Sequence, residues 1–144
     1  MGISLTPEER FEVLGDFDPD AHAAEVEERW GDTEAYRESQ RRVARYTKAD
    51  WERIKADGQA ATDAMVAAMR AGLAADSPEA MDGAEAHRRQ IDDWFYPCSY
   101  EMHVGLAEMY IADPRFTATY ERIAPGLAQY VHDAVNANAA RQEG

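Results

Sequence analysis

Helical periodicity organises this sequence, and no stretch alternates apolar and polar residues strictly enough to argue for a strand. Trp51, Ile54, Ala61, Met65, Met69 and Leu73 keep to one face of a long helix. Thr47-Lys48-Ala49-Asp50 opens that helix as a capping box with Asp in the fourth place. Gly58 interrupts it at about 1 kcal/mol, too little to end it. Asp76-Ser77-Pro78-Glu79 marks a turn and a new start, after which His87, Ile91, Trp94 and Phe95 share an apolar face. Pro97 disfavours a helical Tyr96 and lacks an amide donor, so the chain bends at Tyr96-Pro97-Cys98. A helix over about 99–112 follows, with Met102, Leu106, Met109 and Tyr110 expected inward. Asp113-Pro114 caps a short helix bearing Phe116 and Tyr120. Ala124-Pro125 opens the last, striped by Leu127, Tyr130, Val131, Ala134 and Val135. Upstream, Thr6-Pro7 and Asp18-Pro19 start two helices that end near Gly15 and Gly31. Asp32-Thr33 starts a third, carrying Arg37, Arg41, Arg42 and Arg45 as a solvated face or as partners for the acidic N-terminal arm. The pattern predicts a compact all-α domain of six to eight helices.

At 144 residues the chain is long enough to bury one core. Its 28 acidic against 15 basic residues, net −13, argue against a nucleic-acid surface and against anionic membranes. No apolar run approaches the roughly 20 residues of a membrane span. The first residues lack the basic and apolar regions of a signal peptide. One cysteine excludes an intramolecular disulfide and fits a reducing compartment, so the chain reads as cytoplasmic. The acid is uneven: residues 1–34 carry eleven acidic and two basic side chains, a local net of −9. That segment repels itself and has few large apolar residues, so it gains little from burial to offset ordering entropy.

Catalytic and metal chemistry find little support. Glu85, His87, Asp92, Asp93, Glu101, His103 and Glu108 crowd one region, but Glu85/His87 and Glu101/His103 are two apart and point to different helical faces. No Glu-x-x-His, His-Glu-x-x-His or Cys-x-x-Cys is present, so no metal is expected. Cys98 and His103 are five apart, with no oxyanion loop, which disfavours a nucleophilic enzyme. Gly-rich phosphate loops are absent and no cofactor is implied. What remains is a concentration of Trp94, Phe95, Tyr96, Tyr100, Met102, Met109 and Tyr110 about the bend, which reads equally as core or as an adaptable apolar cleft.

Several longer motifs then carry a resemblance. Phe11 to Asp20 (FEVLGDFDPD), Arg29 to Tyr36 (RWGDTEAY) and Tyr46 to Trp51 (YTKADW) are similar to the TipA-type antibiotic-recognition domain. So are Tyr100 to His103, Glu108 to Tyr110 with Asp113 to Phe116, and Ala124 to Ala128, in the same order over 1–144. The resemblance implies a globin-like fold with a deep cleft for thiopeptide antibiotics. It also implies N-terminal helices that are loose without ligand and close over it, hence an acidic lid over 1–46 and a helical core over 47–144. In the family the domain follows a MerR-type helix-turn-helix or occurs alone as a drug sink, and an opening at Met1-Gly2 resembles the lone form.

The ligand contacts implied in such a cleft are Phe17, Trp30, His87, Asp92, Trp94, Tyr96, Cys98, Tyr100, Met102 and His103. In the family's thiopeptide binders a cysteine thiol adds to a dehydroalanine of the drug. That position falls on Gly105 here, and Cys98 matches a second cysteine, so reversible binding is expected, with covalent trapping through Cys98, two helical turns away, as the alternative. The alternative function is a sensor for other amphipathic or aromatic drugs. DNA and membranes are not expected partners of this chain itself, although a DNA-binding domain can precede it in a longer form.

Overall fold

The computed structural model describes residues 33–143, which form six helices: α1 (Glu34–Val43), α2 (Lys48–Arg70), α3 (Pro78–Trp94), α4 (Tyr100–Ala112), α5 (Pro114–Ile123) and α6 (Leu127–Glu143). No strand occurs among them. The two helices expected over 6–15 and 18–30, and with them Phe17, Trp30 and most of the expected lid, lie outside the described residues.

The helix boundaries follow local chemistry. The Thr33 hydroxyl accepts from the Tyr36 amide at 3.1 Å and starts α1. Thr47 and Asp50 close a reciprocal box at α2, each backbone amide donating to the other's side chain at 3.0 and 3.2 Å. The α2 helix runs through Gly58 and ends at Gly72, whose φ of +77° allows Leu73 to donate back to the Ala68 carbonyl. The Ser77 hydroxyl accepts from Ala80 at the start of α3. Pro97 acts as expected: α3 stops at Trp94, and the chain is non-helical until the Ser99 side chain caps α4 through the Met102 amide at 3.1 Å. The Glu121 carboxylate spans the start of α6, accepting from Gly126 at 2.8 Å and from Ala128 at 3.0 Å.

Packing divides the chain into two compact units. The first takes the described residues up to Asp57 together with Gln90–Pro97. Its core is Val43, Trp51 and Ile54, with Tyr46, Trp94 and Phe95 against them. Tyr46 meets Trp51 and Trp94 edge-on, at centroid distances of 6.0 and 5.5 Å. The α1 arginines pair within their own helix: Arg37 with Glu34, Arg41 with Glu34 and Glu38, Arg42 with Glu38. Arg42 also donates to the Asp92 carbonyl at 2.8 Å.

The second unit holds Gly58–Arg89 and Cys98–Gly144. Its core joins Met65 and Val66 of α2, Ala80 and Ala84 of α3, Ala107 of α4 and the stripe Leu127, Val131, Ala134 and Val135 of α6. Small residues let the helix axes approach closely. At Gly83, an added Cβ would lie 2.7 Å from Met65 Cγ and 3.3 Å from its backbone nitrogen. One expectation is corrected here. In α4 the buried residues are His103 and Ala107, while Met102 is 36% exposed and Leu106, Met109 and Tyr110 are half-buried. The helix is apolar on nearly every side, so periodicity did not single out its inner face. The closeness of α4 to α6 selected small Ala107, and His103 found a polar partner.

Candidate functional site

The sequence candidates fall into both units. In the first, Trp94 is half-buried; its indole donates to the Asp57 carboxylate at 2.9 Å, and its carbonyl accepts from the Tyr46 hydroxyl. Asp92 offers its carbonyl to Arg42, and Tyr96 is half-buried just after the end of α3. These three candidates are therefore tied into, or sit beside, an aromatic cluster.

In the second unit the structure brings together residues that helical spacing had kept apart. His87 on α3 and His103 on α4 meet with Nδ1 and Nε2 2.8 Å apart, so one imidazole N–H donates to the other ring's lone pair. The Tyr110 ring stands edge-on to His87. Burial holds both imidazoles neutral: it pushes His87 down to about 4, and burial, the neighbouring His87 and Arg88 push His103 to about 3. Among the described residues His103 Nδ1 is buried without a hydrogen-bond partner. Among the described residues no cluster of three His, Cys, Asp or Glu side chains is arranged to hold a metal ion.

Beside this pair lies a charged network. Glu85 and Arg88, with side chains 14% and 16% exposed, pair at 2.7 Å. Arg88 donates through Nε and Nη2 to the two Glu85 oxygens, and through Nη1 to the Cys98 carbonyl at 2.7 Å. Its guanidinium also lies 4.4 Å from the Tyr100 ring centroid. Glu85 accepts further from Arg89 and from fully buried Asn138 of α6, and Arg141 donates to the Asn138 oxygen at 2.8 Å. Burial works to raise the Glu85 pKa, but hydrogen bonds from Arg88, Asn138 and Tyr100 outweigh it and hold the carboxyl at about 2. A cavity of about 440 Å³ opens over this network, lined by Asp82, Glu85, Ala86, Arg89, Tyr100, Arg141 and Gln142. Its walls are mainly charged, unlike an aromatic cleft.

Cys98 is 1% exposed, and its sulfur lies 3.7 Å from the Ser99 carbonyl oxygen. Gly105 is exposed on α4, and a Cβ built there would meet nothing within 4 Å. Spacing alone had hidden the His87–His103 contact and the role of Asn138, because both join different helices. The Glu85, Arg88, Arg89 spacing of three and four was legible as a helical ion-pair pattern.

The described residues thus form an all-α domain in which buried neutral histidines pack beside a half-buried ion-pair network. Residues 22–138 match the TipAS antibiotic-recognition domain, and the chain belongs to that family. It is 55% identical over 141 residues to the HTH-type transcriptional activator TipA of Streptomyces coelicolor, covering 98% of this chain and 56% of that protein. Against the HTH-type transcriptional activator mta of Bacillus subtilis, identity is 30% over 122 residues, 85% of this chain and 46% of that one. The chain thus spans about half the length of these curated relatives. Among solved structures, TipAS of Streptomyces lividans in complex with nosiheptide matches at a TM-score of 0.90 and 54% identity, over 99% of this chain and 100% of that chain. The antibiotic-binding domain of a TipA-class multidrug resistance transcriptional regulator matches at 0.59 and 48%, over 65% of this chain and 100% of that one.

Proposed function

We propose that this domain binds thiopeptide antibiotics reversibly in the cytoplasm, either sequestering the drug or serving as the ligand-sensing part of a MerR-type activator. The observation that carries the reading is its likeness, at 54% identity over 99% of the chain, to a domain solved with nosiheptide. Met102 and Gly105 lie one helical turn apart on the exposed part of α4 and form the surface we assign to the drug in the second unit. Tyr100 stands at the start of the same helix, and the buried His103, with His87 against it, supports that helix from its inner side. Trp94 and Tyr96 are the aromatic contacts assigned to the first unit, with Asp92 beside them. Apolar burial supplies most of the affinity.

Reversibility follows from two positions. Covalent capture needs an accessible thiol to add across the C=C bond of a dehydroalanine, the sulfur bonding to the terminal carbon and the proton passing to the α-carbon. Gly105 has no thiol, and the Cys98 thiol is buried. The domain performs no turnover in this reading, and any contact with DNA is made by a helix-turn-helix in a longer chain. Intact-mass measurement with a thiopeptide bearing a dehydroalanine tail tests it. A one-to-one complex in native conditions that separates on denaturation is expected. An adduct that survives denaturation and disappears in Cys98→Ser would overturn reversibility; no complex at all would overturn thiopeptide binding. In that last case the likeness to a multidrug resistance regulator's antibiotic-binding domain favours other amphipathic or aromatic drugs.

A further inference from the structure

We infer that Arg88 is a positioning residue for ligand recognition: its guanidinium, through the Cys98 carbonyl and the Tyr100 ring, sets the start of α4 and so the placement of the Met102–Gly105 face. The inference rests on the reading that this face meets the thiopeptide. The carbonyl of Cys98 lies just outside α4, between Pro97 and the capping Ser99, and the Arg88 Nη1 donor reaches it at 2.7 Å. The same guanidinium covers the Tyr100 ring, at the first helical position, from 4.4 Å. Arg88 therefore grips both sides of the cap.

Leverage makes this grip matter. Gly105 lies six residues, about 9 Å, along the axis from Ser99, so a tilt of about 10° at the cap moves it by roughly 1.5 Å. A shift of that size is enough to spoil a surface matched to a rigid ligand. Only a forked donor does both tasks. Two nitrogens of Arg88 occupy the two Glu85 oxygens while the third reaches Cys98. A lysine retains the ion pair with Glu85 and loses the fork. Glu85→Gln weakens the pair but keeps an amide oxygen to accept from Tyr100, and leaves an Arg whose Nη1 still points at the carbonyl. The two substitutions thus separate stability from placement.

The experiment compares Arg88→Lys and Glu85→Gln in the full chain. The readouts are thermal melting without ligand, the dissociation constant for nosiheptide, and the rate at which iodoacetamide alkylates the Cys98 thiol without ligand. Arg88→Lys is expected to weaken nosiheptide binding by about tenfold or more and to speed alkylation, with no greater loss of Tm than Glu85→Gln. Glu85→Gln is expected to lower Tm while keeping affinity within about twofold and alkylation near the unsubstituted rate. Affinity that simply follows Tm across both variants, or Arg88→Lys that binds as tightly as the unsubstituted protein, overturns the inference. If the unsubstituted protein fails to bind nosiheptide, the functional reading falls. The alkylation rates then decide whether Arg88 fixes the Cys98–Tyr100 turn, and equal rates in both variants reject that too.

Discussion

Gly105 and Gly83 are both helical glycines, yet the space about them predicts opposite outcomes. Around Gly105 an added Cβ meets nothing within 4 Å. Gly105→Cys should fold with unchanged or slightly raised Tm, since glycine is the poorer helix former by about 1 kcal/mol. With a thiopeptide bearing a dehydroalanine it should also give an adduct that survives denaturing mass spectrometry. A folded Gly105→Cys that binds the drug without forming the adduct would show that the α4 face does not meet the reactive tail. At Gly83 the neighbour is the body of fully buried Met65, including its backbone. Gly83→Ala should therefore cost about 1–3 kcal/mol, read as an earlier denaturant midpoint with unchanged slope.

At the scale of elements, α6 is held at both ends by side chains from elsewhere. The Glu121 carboxylate closes its first turn by accepting from two backbone amides, and those amides hold the carboxyl below its usual range. Glu121→Ala should lower Tm and speed hydrogen exchange at the Gly126 and Ala128 amides, leaving α2 exchange unaltered; unchanged exchange at those amides would remove the cap from the account. Near the other end, Asn138 and Arg141 join Glu85 and Asp82 of α3. The start of α6 was legible as Ala124-Pro125, and its inner face as the apolar stripe after it, because caps and periodicity are local. The partner of Asn138 was not, since Glu85 lies 53 residues away in sequence.

For the whole molecule, two sets of histidines give stability opposite slopes in pH. His87 and His103 are neutral when folded, with pKa values below the ordinary 6.5, so the unfolded chain binds more protons between about 6.5 and 4. Their contribution is complete above pH 6.5 and is lost as pH falls through that window. Glu85 adds to the loss between its ordinary 4.5 and about 2. His132 slopes the other way. Burial works against its charge, but donation to Asp133 and Glu108 wins and raises its pKa. That contribution is full below pH 6.5 and fades as pH rises through the raised value. Tm should therefore peak near pH 6.5–7, and His132→Gln should remove the decline on the alkaline side alone. A Tm that rises steadily from pH 5 to 9 would contradict the assignment.

Among the described residues, what the sequence by itself determined is the order, type and starts of the helices, the break at Pro97, and the family. Capping residues, proline and a 3.6-residue stripe act within a few neighbours, and long motifs in order need no contact map. Tertiary structure alone decided which side of α4 turns inward, which buried polar groups meet, and which glycine lies in open space. Helix α4 is apolar nearly all round, so the choice fell to how closely its neighbours approach. His87 meets His103, and Glu85 meets Asn138, because separate helices pack against one another. Spacing along one helix carries no information about the surface of the next.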